Sequence, residues 1–256
     1  MMKKIYLDIL KLKKEINFGF FTSNGGISKG NYKSLNCSKN NKDNRINVSE
    51  NLKIAKQKLN IKNKKLKLIN QTHSNKIIKI NTKNYKNNHY GDGLITNNKE
   101  IALGILTADC APIYIYDTKQ EMICCLHSGW KGTLNNIVAK GIKIFKCKKI
   151  KAKNIVVVIG PCIGFSNFEV DKNFKNKFIN KNQNYSNFFK TKNKNKDLFN
   201  LRGLINYQIR TENIKNIYNI SKDTYKNSSM FFSHRRSKHQ KNKQTGRMIN
   251  IISFKT

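Results

Sequence analysis

The sequence predicts a fold that mixes short buried strands with amphipathic helices, and three observations predict it. Short runs rich in Ile, Val and Leu, such as IALGIL, EMICCL and NIVVVI, end abruptly in polar residues. Their length and composition suit buried strands better than helices. Other stretches carry apolar residues at helical spacing, the mark of a helix with one face in a core. No Pro- or Gly-rich linker and no repeat of solenoid length divides the 256 residues. A chain of that length buries a full core as one large domain or two small ones.

Taken in order, FGFFTS reads as the first strand, and the turn-rich GGISKGNYKSLNC follows it. A helix is expected from Ser49, with Glu50 in its first turn and Leu52, Ile54, Ala55 and Leu59 along one side;. Residues 66–165 hold four strand-like runs: LKLIN leads to QTHS, IALGIL to TADC, EMICCL to HSGWKG, and NIVVVI to GPCIG. Each run delivers reactive residues at a strand end, and a sheet gathers such ends at one rim although they lie far apart in sequence. After HSGWKG, Thr133 reads as the N-cap of a helix whose face is Leu134, Ile137, Val138, Ile142 and Phe145;. Residues 172–196 read as a helix followed by a variable Lys/Asn-rich surface loop at about 180–196;. A helix near 198–212, a short strand MFFSHRR and a final strand RMINIISF complete the chain.

Composition excludes several classes. No run of 18 apolar residues exists, so no transmembrane helix and no membrane partner are expected. The opening MMKKIYLDILKLKKE is interrupted by Asp8 and Lys11 too early for a signal-peptide core;. With no export signal and no CxxC pair among six cysteines, free thiols in a reducing cytoplasm are expected. The formal charge of +37 invites a nucleic-acid reading;. Arg, the residue of base-edge and bidentate phosphate recognition, occurs only six times, and the Lys is spread along the chain;. We therefore expect a solvated, compositionally biased surface with salt-sensitive affinity for polyanions and no specific nucleic-acid partner.

Of five histidines, His73 and His127 follow strand-like runs, and Cys110 follows a third. Imidazole and thiolate are zinc ligands, and two His with one Cys leave a fourth tetrahedral position open for catalysis. The spacing H-x36-C-x16-H matches no zinc-finger signature, so on spacing alone each of these residues reads as a structural or surface feature sooner than as a ligand. Cys124 and Cys125 sit mid-strand, where a free Cys behaves as a small hydrophobe.

The words QTHSNKI, DGLIT, LTADCAPI, HSGWKG, IGPCIG, FFSHRR and TGR occur in this order. Together they resemble the YfiH/LACC1 family, whose members carry labels such as polyphenol oxidase of the laccase-domain type, purine nucleoside phosphorylase and peptidoglycan editing factor. The resemblance runs from FFTSNGGIS to TGRMINI, nearly the whole chain. It implies an α+β fold, a single domain over 1–256 with mixed β-sheets packed together and flanked by helices. It implies a Zn2+ held by His73, Cys110 and His127, with Cu2+ as a substitute. It also implies phosphorolysis of adenosine, inosine and methylthioadenosine, and deamination of adenosine to inosine, with purine nucleoside and phosphate as partners.

Around those ligands, Asp109, Cys110 and His127 are the catalytic candidates. Asp109 is a proton relay, a group that orients a ligating His, or a turn cap. Gln71 reads a purine edge or braces its loop. Lys131 and Arg235 are candidates for the anion, with Arg236 beside them. Asp92 reads as a tight-turn residue and Cys162 as a pocket wall. The chain departs from the family pattern at Ser23, where Arg is usual, and at Leu52, Ser128, Lys131, Phe168 and Asp223. Ser23 bears on phosphate affinity, because a guanidinium is a natural phosphate clamp. The zinc-deaminase pattern H-x-E…P-C-x-x-C is missing;. Three other classes compete. A copper-dependent polyphenol oxidase of the multicopper kind needs more imidazole than five histidines supply. A metal-free Cys/His hydrolase or amidase, linked to peptidoglycan precursor editing, would use Cys110 as nucleophile. A non-enzymatic basic binding protein would need neither.

Overall fold

The computed structural model describes residues 6–9, 12, 16–241 and 244–255, so part of the basic opening stretch lies outside the described residues. In chain order the strands are β1 (Tyr6–Leu7), β2 (Asn17–Phe21), β3 (Lys65–Lys67), β4 (Ile77–Lys79), β5 (Gly93–Thr96), β6 (Ile101–Thr107) and β7 (Ala111–Asp117). They continue as β8 (Ile123–Ser128), β9 (Ile155–Ile159), β10 (Glu169–Asp171), β11 (Phe189–Thr191), β12 (Lys196–Phe199), β13 (Asn216–Asn219) and β14 (Met248–Ser253). The helices are α1 (Arg45–Lys58), α2 (Trp130–Leu134), α3 (Ile137–Cys147), α4 (Lys172–Ile179), α5 (Leu201–Thr211) and α6 (His234–His239).

Two sheets stack face to face. One runs β13-β9-β7-β8-β5-β4 and the other β1-β2-β14-β6-β3, both mixing parallel and antiparallel pairs. Strand β7, APIYIYD, is buried at every position because both its faces are covered. Its Tyr114 and Tyr116 point between the sheets, against Phe18, Phe20, Leu103 and Ile105. Ile113 and Ile115 point the other way, against Ile137, Val138 and Phe145 of α3 and Leu204 and Ile209 of α5. The outer face of the second sheet packs Phe21, Ile249 and Ile251 on Ala55 of α1 and on Leu59, which caps that helix. The layers are therefore helix, sheet, sheet, helix, and two-sided burial explains why the central strands read as unbroken apolar runs rather than alternating ones. Phe20 stacks on Tyr114 at 4.4 Å, and the Tyr114 hydroxyl donates to the Gly19 carbonyl at 3.0 Å. Each fully buried ring of this kind contributes about 1.5–3 kcal/mol.

The implied α+β architecture is the one the structure has. Local boundaries differ for identifiable reasons. Helix α1 begins at Arg45, not Ser49, because the Asn44 side chain accepts the Ile46 N–H and caps it;. Thr133 is not an N-cap; it lies inside α2, and its hydroxyl donates to the Gly129 carbonyl. The segment at about 180–196 is more ordered than a surface loop: it carries a 3-10 helix (Gln183–Phe188) and strand β11, held by Phe178, Phe189 and Phe199 packing ring on ring. MFFSHRR is not a strand. Phe231 and Phe232 anchor beside Met248, and the Ser233 hydroxyl caps α6 by accepting the Arg236 N–H.

What matters for function is where the chain passes between the two sheets. The β3–β4 loop, the β6–β7 turn and the end of β8 meet at one rim, and they carry His73, Cys110 and His127.

Candidate metal centre

The ligand atoms of His73, Cys110 and His127 all lie within 4.8 Å of one another, the one such three-donor group among the described residues. Each is placed by a distinct device. His127 is the penultimate residue of β8, paired with Pro112 of β7, and is 3% exposed. Cys110 ends the tight β6–β7 turn, whose Asp109 takes the left-handed φ of 90°. That conformation disfavours a residue with a Cβ. It is held because the Asp109 carboxylate accepts from the Thr224 hydroxyl at 2.7 Å, the Ser233 hydroxyl at 3.0 Å and the Arg235 N–H at 2.7 Å. His73 also has positive φ, 57°, and its N–H donates to Asp92 at 3.0 Å.

Asp92 ties the centre together. Its carboxylate, fully buried, accepts from His127 Nδ1 at 2.7 Å, from the Ser74 N–H at 2.5 Å and from the Ser74 hydroxyl at 2.8 Å. Nδ1 is thereby fixed, which leaves Nε2 for the cluster. Burial opposes ionisation of Asp92, but the bonds from His127 and Ser74 outweigh it and hold the carboxyl well below the usual carboxylate range;. Burial alone would lower the His127 imidazole, yet the Cys110 thiolate and Asp92 raise it to about 9. Burial likewise opposes the Cys110 thiolate, and His127 with His73 brings its pKa down to about 6. Cys110 and His127 thus each favour the other's charged form, and a metal ion bound here would compete with the His127 proton;.

The donor set fits a divalent N/S-loving ion. Two imidazoles and a thiolate converge at the wall of a cleft;. A buried carboxylate orients one ligand from behind, as such sites require. Gly129 leaves the space: a Cβ there would sit 2.9 Å from Cys110 Sγ and 3.3 Å from His73 Cδ2. The substitution Gly129→Ala is therefore expected to displace ligands and weaken metal binding about 10–100-fold, the scale of losing an outer-shell partner, as read by competition with a chromophoric chelator.

The three donors line a cleft of about 330 Å³ with Ser38, Asn40, His234 and Arg247. The other expected site residues take different positions. Asp109 does not orient a ligating His; Asp92 does, and the carboxylate of Asp109 is spent on its three donors. Gln71 lines the cleft, but both ends of its amide bond the Leu106 backbone, at 2.8 and 2.7 Å, so it braces the loop instead of reading a base. Lys131 lies outside the cleft lining, exposed on α2 with its ammonium 5.5 Å from the Trp130 ring. Arg235 donates to the Glu169 carbonyl and stacks on Phe168. Arg236 donates to the carbonyls of Thr224, Tyr225 and Phe231. Neither arginine lines the cleft. Cys162 is buried 3.2 Å from an Arg202 Nη, away from the lining. The sequence reading took Asp92 for a tight-turn residue and passed over His234 and Arg247. Their signals were an Asp at the mouth of strand GLIT, and the FFSHRR and TGR words themselves.

The class the structure defines is a two-sheet α+β fold with a His/Cys/His group, able to hold a metal ion, at the rim between the sheets. Residues 17–255 match the family model described as multi-copper polyphenol oxidoreductase laccase, and the chain belongs to that family. A purine nucleoside phosphorylase of Rickettsia prowazekii is 33% identical over 189 residues, covering 73% of this chain and 78% of the relative. One of Staphylococcus aureus is 28% identical, covering 94% and 92%. The crystal structure of the hypothetical protein YfiH of Bacillus licheniformis superposes with a TM-score of 0.89 at 29% identity, covering 98% of this chain and 96% of that one. No helix among the described residues is long and apolar enough to cross a membrane.

Proposed function

We propose that this protein is a zinc-dependent purine nucleoside enzyme of the cytoplasm, which cleaves adenosine, inosine and methylthioadenosine with phosphate and deaminates adenosine to inosine. The observation that carries the proposal is the convergence of His73, Cys110 and His127 on the floor of a cleft of about 330 Å³, a size within the usual range for small-molecule sites. The relatives named purine nucleoside phosphorylase support the substrate class. Zinc bound by these donors supplies a Lewis acid with an open position.

The chain's own residues do the rest. Asp92 holds His127 in one tautomer and, through Ser74 and the His73 N–H, fixes the loop that carries His73. No carboxylate is among the cleft-lining residues. Proton handling therefore falls to His234, which lines the cleft and whose pKa is lowered by burial and by the Arg247 charge. In phosphorolysis an oxygen of hydrogen phosphate bonds to C1′ and the C1′–N9 bond breaks. The electron pair leaves with the purine, which takes up the proton the phosphate brought. In deamination water adds its oxygen at C6 and ammonia departs. His234 is the group placed to pass the proton in either case.

Purified protein incubated with adenosine tests this. Inosine is expected without phosphate, and adenine with ribose 1-phosphate when phosphate is added. Neither product from the zinc-loaded protein would overturn the proposal.

A second reading has its own observation. Cys110, His127 and Asp92 stand in the order nucleophile, base, orienting acid, the arrangement of a cysteine hydrolase. Amide hydrolysis by the metal-free protein, blocked by alkylating Cys110, would favour it. A multicopper oxidase is disfavoured. His89 bonds the Asn84 carbonyl and His239 bonds Tyr225, so three histidines reach the cleft.

A further inference from the structure

Phosphorolysis needs a fixed cation for phosphate, and the cations expected from sequence are engaged elsewhere. The chain has six arginines. Arg45 and Arg210 are exposed on α1 and α5. Arg202, Arg235 and Arg236 are committed to backbone carbonyls around the fold. Among the described residues no lysine lines the cleft, and Arg247 is the one arginine that does.

Arg247 has the features of an anion clamp. Its backbone is pinned on both sides: the N–H donates to Asn36 Oδ1 at 2.9 Å, and the carbonyl accepts the Cys37 N–H at 3.1 Å. The guanidinium is steadied by one nitrogen only, Nη1, which donates to the carbonyls of Thr245 at 3.1 Å and Gly246 at 3.0 Å. Nη2 and Nε have no hydrogen-bond partner among the described residues, and no carboxylate pairs with the side chain. A partly buried guanidinium lining the same cleft as His73, Cys110 and His127, with a free edge, in the field of Cys110 and Asp109 but ion-paired to no carboxylate among the described residues, presents the fork that matches two phosphate oxygens;.

We propose that Arg247 binds the phosphate co-substrate at the metal cleft. The assignment rests on the phosphorolytic reading above. It also explains how the chain manages with Ser23 where the family pattern has Arg: Ser23 is buried, its N–H donating to the Met230 carbonyl, and it is absent from the cleft lining.

The experiment compares Arg247→Gln and Arg247→Lys with Arg210→Gln, an exposed control of equal charge change. The first readout is binding of inorganic phosphate, followed by 31P line broadening. The second is the KM for phosphate in phosphorolysis, set against the KM for adenosine in the same reaction. Arg247→Gln is expected to weaken phosphate binding and raise the phosphate KM about 10–100-fold, the scale of a lost charge-assisted pair. Metal content and melting temperature should stay close to wild type, and the KM for adenosine should move far less than the KM for phosphate, because the change removes ground-state binding of one reactant. Arg247→Lys should recover part of the loss, and Arg210→Gln should match wild type. An unchanged phosphate KM in Arg247→Gln, or loss of metal alongside phosphate affinity, overturns the assignment while leaving the enzyme reading standing. Phosphate binding that depends on Arg247 in a protein that turns over no nucleoside sinks the enzyme reading and keeps the anion site.

Discussion

Replacing His127 by Ala is expected to abolish metal binding and nucleoside turnover together while the fold survives. Two donors remain in His127→Ala, and metal affinity should fall at least about 100-fold. The structural cost is smaller. Asp92 loses its imidazole partner, worth about 1–3 kcal/mol for a stranded buried group, against a typical total of about 5–15 kcal/mol. A cooperative thermal transition with an unchanged far-ultraviolet spectrum, beside an empty metal assay, is the expected outcome. Wild-type activity in this variant would remove the metal-site reading. The pH profile of the metal-free protein changes as well. The imidazole of His127, raised to about 9 in the folded state, contributes stability that is fully present below its unfolded value of about 6.5. That contribution is lost as pH rises through about 9, and His127→Ala should flatten the alkaline limb.

Asp92→Asn is the second large effect. The carboxylate is buried and bonds His127, Ser74 and the His73 backbone at once. An amide keeps one acceptor and turns the other end into a donor facing donors. We expect a loss of about 3 kcal/mol of stability, as for breaking a buried charged pair. Metal affinity should fall about 10–100-fold through the unfixed imidazole. The sign of the pH effect is set by the depressed carboxyl. Its stabilisation is present above the unfolded value of about 4 and is lost as pH falls through the lower folded value. Acid denaturation followed by circular dichroism should therefore show that Asp92→Asn loses this part of the acid-side pH dependence.

The convergence of His73, Cys110 and His127 was legible because each follows an apolar run, and strands of that kind bring their ends to a common rim. The two-sided burial of β7 and β9 was legible for the same reason: both read APIYIYD and IVVVI without polar alternation. Asp92 was not. Its importance arises from the antiparallel register that sets Gly93 opposite Leu126 and so brings Asp92 beside His127, and register leaves no local mark in the sequence. The cations expected to hold the anion, Lys131, Arg235 and Arg236, fall outside the cleft lining, and in so basic a chain every cation looks alike in sequence. Arg235 and Arg236 follow a His in FFSHRR, yet their guanidinium groups serve as struts on carbonyls. The hidden variable was carbonyl geometry at the α6 entrance, where Ser233 and Asp109 cap the helix that the aromatic pair had disguised as a strand.

X-ray absorption at the metal edge of the purified protein tests the central claim most directly. One zinc per chain is expected, with one sulfur at about 2.3 Å and two imidazole nitrogens at about 2.0–2.1 Å. The sulfur shell should vanish in Cys110→Ser. A zinc bound only by oxygen and nitrogen, or a sulfur shell that persists in Cys110→Ser, would contradict it.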